Sequence, residues 1–74
     1  MQNELENLLC DVVAILREKA TEAKTLGANG DHFQQGRNFG LYEVLSLLRD
    51  QALAFSIDPE KIGFAAFNPD QSIL

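Results

Sequence analysis

Few residues in this chain can do chemistry, and their spacing limits what they can do. His32, Glu43 and Asp50 fall on a similar side of one helical stretch, and these are the residue types used in general acid–base catalysis. At 1.5 Å per residue they stand ~16 Å and ~10 Å apart along the axis. A single chain therefore cannot bring them to one substrate atom; only an antiparallel pairing of copies could. Solvated polar residues are the expected reading.

Cys10 is the single cysteine. A nucleophilic thiolate needs a nearby base or a strongly electropositive setting. The closest cation in sequence, Arg17, is seven residues on, and Asp11 opposes ionisation. Cys10 therefore reads as a plain residue, with an intermolecular disulfide as the lesser alternative. One histidine and one cysteine, far apart, do not suggest a structural zinc site, and neither metal nor cofactor is expected.

Arg37 stands out more. With Gln34 it extends the line of Val44, Leu48 and Phe55, which starts it on an inward face. A buried guanidinium must find a carboxylate or carbonyls, because stranding it costs several kcal/mol. An acid of the first helix, an acid of a partner subunit or an anionic ligand would serve. The surrounding Gly-Arg-Asn-Phe-Gly is not a phosphate loop: no strand precedes it and the Walker spacing is absent.

Helices must position these residues. The first is expected at about 4–26, with Asn3 as N-cap, Glu6 as its capping-box partner and Gly27 as the residue that ends it. Leu5, Leu8, Leu9, Val12, Val13, Ile15, Leu16, Ala20 and Ala23 fall within an arc of roughly 160°. Lys19 intrudes on that arc, its stem able to lie along apolar surface. Gly27-Ala28-Asn29-Gly30 then forms a tight turn, so the next helix runs antiparallel.

The second helix is expected at about 32–55, capped by Asp31 with Gln34 as its box partner. Gly36 and Gly40 each cost about 1 kcal/mol relative to alanine in a helix, so a bend near 38–40 is the alternative to a continuous rod. Gly36, Gly40, Leu47 and Ala54 fall near one line, as residues admitting another backbone would. Leu41, Val44, Leu45, Leu48, Ala52 and Phe55 make the main apolar face. Phe39, Tyr42 and Leu53 make a second line almost opposite.

A surface helix needs only one apolar stripe. The second marks Phe39, Tyr42 and Leu53, with Gly36 and Gly40, as a candidate interface. The competing reading is coverage by Phe64 and Phe67 of the same chain. Asp58 and Pro59 start a short helix at about 59–62, Ile57 and Ile62 form a hydrophobic staple across it, and residues 63–74 form an irregular tail.

With 74 residues, the chain is a single domain with a core worth a few kcal/mol, and such scaffolds lean on disulfides, metals or oligomerisation. Only oligomerisation remains. A net charge of −5 disfavours nucleic acid and anionic membrane as partners, and no segment reads as membrane-spanning or as a signal peptide. A cytoplasmic location follows as the default.

The expected fold is an all-α antiparallel hairpin that dimerises into a four-helix bundle. The expected function is a homo-oligomeric protein–protein interaction module without catalytic activity. The alternative uses the acidic ridge of Glu4, Asp11, Glu18 and Glu22 to bind a basic partner, as an immunity- or antitoxin-type inhibitor does. A helix-turn-helix reading is weaker, since basic residues are missing where a recognition helix needs them.

Overall fold

The computed structural model of the chain describes residues 4–65 and 67–69. Over these it is all-helical, without a strand: α1 (Glu4–Ala28), α2 (His32–Ala54) and a 3-10 helix at Pro59–Ile62. The expected Asn3 cap, residue 66 and residues 70–74 of the expected tail lie outside the described residues.

The turn differs from expectation in one respect. Gly27 does not end α1 but lies inside it, buried, where an added Cβ would come within 3.0 Å of the Gln35 side chain. Gln35 Nε2 donates to the Gly27 carbonyl at 2.9 Å, so this glycine serves the close approach of α2. Gly30 instead takes the left-handed backbone, with φ of 92°, which glycine adopts at little cost.

Asp31 caps α2 by accepting from the Gln34 backbone N–H at 3.1 Å. The Gln34 side chain does not complete the expected capping box; its Oε1 accepts from Arg37 at 3.1 Å. α2 is continuous through Gly36 and Gly40. It ends in a Schellman-type closure, with Ile57 N–H donating to Ala52 O at 2.7 Å and Ser56 N–H to Leu53 O at 3.0 Å. Ser56 holds φ of 60° where glycine is usual.

Asp58 then caps the short helix through Glu60 N–H at 3.0 Å. Gly63 closes that helix with φ of 105°. Ile62 is buried, but Ile57 is exposed.

Each helix is best described by three neighbouring rows, all stepping alternately by three and four residues. The middle row of α1 is Leu9, Val13, Leu16, Ala20, Ala23 and Gly27; that of α2 is Gln34, Asn38, Leu41, Leu45, Leu48 and Ala52. These rows are buried or half-buried against each other. Leu45 and Val13 are fully buried and lie at the centre, joined by Ile62 and Phe64. Alanines at 20, 23 and 52 bring the axes close and keep the core thin.

The rows one residue later in number project to one side of this hairpin on both helices, because the sense of rotation reverses between antiparallel partners. The segment after the 3-10 helix packs on that side. There the Cys10 thiol donates to Lys61 O at 3.0 Å, Arg17 Nη1 donates to Gly63 O at 2.8 Å, and the Arg17 guanidinium sits 4.2 Å from the Phe67 ring centroid. Arg49 donates to Asn68 Oδ1 at 3.2 Å.

Candidate functional site

The rows one residue earlier in number project to the opposite side, and the described chain leaves them uncovered. On α1 this row runs Leu5, Leu8, Val12, Ile15, Lys19, Glu22 and Leu26, every member exposed. On α2 it runs Phe33, Arg37, Gly40, Val44, Leu47, Gln51 and Ala54, of which only Arg37 and Gly40 are even half-buried. Leu5 is 64% exposed, Leu47 59% and Phe33 75%. Both rows keep the seven-residue repeat that produces knobs-into-holes packing between helices.

The aliphatics of this face together expose on the order of 600 Å², and nearer 800 Å² with Phe33, whereas the largest apolar patch on a typical monomer is about 300–600 Å². A broad exposed apolar face of this kind marks an interaction surface. The apolar part concentrates toward the end remote from the turn, where the first half of α1 lies beside the second half of α2.

This division corrects three readings. Val44 and Phe55, assigned to the inward face, are exposed: Val44 belongs to the uncovered row, and Phe55 follows the last residue of α2 where the chain turns away. Leu5, Leu8, Val12 and Ile15, grouped with the core arc, are exposed too. Arg37 belongs to the uncovered row rather than to an inward face. Its Nη1 lies 3.3 Å from Glu22 Oε1 across the hairpin and contacts Gln34.

Gly36 and Gly40 lie on or beside the same row, and an added Cβ at either would meet nothing within 4 Å. If they admit another backbone, it belongs to another chain.

Phe39, Tyr42 and Leu53 lie on the side that carries the C-terminal segment. Tyr42 packs against the core cluster and its ring is 6.0 Å from that of Phe39. Phe39 and Leu53 are more than half exposed, because Phe64 enters the core and Phe67 stacks on Arg17 instead. Ser46 and Arg49 interrupt this line, which makes it a narrower apolar surface than the uncovered face.

The polar candidates do not converge. His32, Glu43 and Asp50 are exposed on α2, and Asp50 pairs with Arg49 at 3.7 Å. Cys10 lies half-buried beneath the 3-10 helix. Glu4, Asp11 and Glu18 form an exposed ridge, while Glu22 is engaged by Arg37. A solvent-open hollow of about 570 Å³ is lined by Ala14, Arg17, Glu18, Thr21 and Phe67. Its guanidinium is already committed to Gly63 and Phe67.

Among the described residues no group of three His, Cys, Asp or Glu side chains is placed to hold a metal ion. Among the same residues no helix is long and apolar enough to cross a membrane. Searches of protein-family models, curated proteins and solved structures give no match to this chain, so its own surface carries the functional argument.

Proposed function

We propose that the protein is a small helical interaction module that works as a homodimer, with two hairpins closing into a four-helix bundle, and that it acts through assembly rather than turnover. One observation carries this reading: each helix bears two adjoining seven-residue repeats, and the hairpin covers only one of them. In a four-helix bundle every helix touches two neighbours. The inner row supplies one contact and the uncovered row is patterned for the second.

A second copy is the natural occupant because the apolar area exposed on this face, on the order of 600–800 Å² per chain, approaches the roughly 800 Å² that one partner contributes to a standard stable interface. The alternative, a basic protein bound by the acidic ridge, has weaker support. Glu22 is held by Arg37, which leaves three carboxylates, Glu4, Asp11 and Glu18, spread over about four turns of α1.

Dimerisation couples folding to concentration, since mass action stabilises whatever the folded state binds. The thermal midpoint should rise steadily as protein concentration is raised a hundredfold or so, by several degrees for a domain of this size. A midpoint independent of concentration, together with a monomer's mass, would refute the reading.

A further inference from the structure

We infer that the two copies pair about a two-fold axis parallel to the helices, so that α1 of one chain lies on α2 of the other in one defined register. This rests on the homodimer reading above and goes further, because it assigns each outer residue its partner.

The register is anchored by observed contacts. Arg37 and Glu22 lie 3.3 Å apart through long side chains and the Gln35 backbone lies against Gly27, which together fix the relative height of the two helices to within about one turn. Stepping down α1 and up α2 by equal counts pairs every outer position of one helix with an outer position of the other. Val12 is then level with Leu47, Ile15 with Val44, and Leu26 with Phe33. Lys19 is level with Gly40, and Glu22 with Arg37.

A two-fold axis parallel to the helices preserves height and exchanges the helices. It sets α1 of the partner copy over α2 with these pairings made between chains. Apolar residues then meet apolar residues except at Leu8, which faces the stem of Gln51. The only anion of either row meets the guanidinium, and the Lys19 stem lies over Gly40, where the chain itself leaves open space.

A two-fold axis perpendicular to the helices would superpose like on like. Centred on the apolar end near Val12, it sets Lys19 against Leu5 and leaves Leu26 and Phe33 beyond the contact. Centred midway along the hairpin, it sets Val12 against Lys19. Centred between Ala20 and Thr21, it pairs Lys19 with Glu22 but leaves Leu5, Leu8, Val12 and Leu47 uncovered. Only the parallel axis therefore both matches the charges and covers the apolar end of the two rows.

Cysteine cross-linking separates the arrangements. A disulfide needs Cα atoms within about 7 Å, and facing helices meet at 8–10 Å between axes while diagonal ones stand roughly 13 Å apart. With Cys10→Ser in every sample, Val12→Cys and Leu47→Cys chains are unfolded together, refolded and mildly oxidised. The mixture should yield a band of twice the chain mass that survives denaturation and disappears with reductant, and neither variant should yield it alone.

Ile15→Cys with Val44→Cys forms an independent second pair, should the first disturb folding. Cross-linking of Val12→Cys with itself would overturn the parallel axis while leaving the homodimer intact. A dimeric mass with no cross-link in either mixture would overturn the register. A monomeric mass for the unsubstituted chain would overturn both the register and the homodimer.

Discussion

Ile15→Glu should convert the protein to a folded monomer. In a single hairpin this side chain is about half exposed, so a carboxylate there reaches water and the fold loses little. In the proposed bundle it would face Val44 of the other copy, and the only cation of its row within a turn, Lys19, would have to leave water to pair with it. Desolvating a charge beneath apolar side chains costs several kcal/mol even with a partner one turn away, and two-fold symmetry imposes it twice. At 1.4 kcal/mol per tenfold, the dissociation constant should rise at least about a thousandfold.

Light scattering should then report half the mass of the parent chain, with helical circular dichroism retained. Leu53→Glu is the matched control: its side chain is similarly exposed but lies on the other side of the hairpin, and it should leave the mass unchanged. If Leu53→Glu dissociates the dimer and Ile15→Glu does not, the interface lies on the Phe39–Tyr42–Leu53 side.

Leu45→Ala should be the most damaging truncation to the hairpin itself. Leu45 is fully buried at the meeting of both long helices with Val13, Ile62 and Phe64, and these already packed neighbours cannot close the gap a truncation leaves. Leucine-to-alanine cavities cost about 2–5 kcal/mol, against a total of roughly 4–11 kcal/mol for a chain of this length at usual per-residue stability. Urea unfolding followed by circular dichroism should show a midpoint lowered by a third or more, about the ratio of those two figures. An unchanged midpoint would remove Leu45 from the centre of the core.

The two variants act on different links of one chain of causes. Leu45 holds the hairpin together in each copy, whereas Ile15 matters only once a second copy arrives. The sequence made this hairpin legible: Asp31, Asp58 with Pro59, and Gly63 all mark helix ends through backbone chemistry that is local. It also showed more apolar surface than one hairpin can cover.

What it did not show was which surface is left over. A helical wheel ranks Leu9 and Leu8, or Leu45 and Val44, almost equally, because it carries no information about rotation within a pair. That rotation is set by Gly27 against Gln35 and by the small residues Ala20, Ala23 and Ala52, which let the axes close on one particular row. The path of the C-terminal segment was hidden for a related reason. It is steered by Arg17 reaching Gly63 and Phe67, a contact over 46 positions that no local pattern announces. Once that segment is placed, the Phe39–Tyr42–Leu53 line becomes its flank and the opposite face becomes the open one.

Sedimentation equilibrium of the unsubstituted chain tests the account most directly. On the proposed reading a second copy covers the outer rows of α1 and α2, so the protein should sediment at twice its 8.2 kDa chain mass and dissociate on dilution without an intermediate species. A single 8.2 kDa species that keeps its helical structure at high concentration would contradict the account.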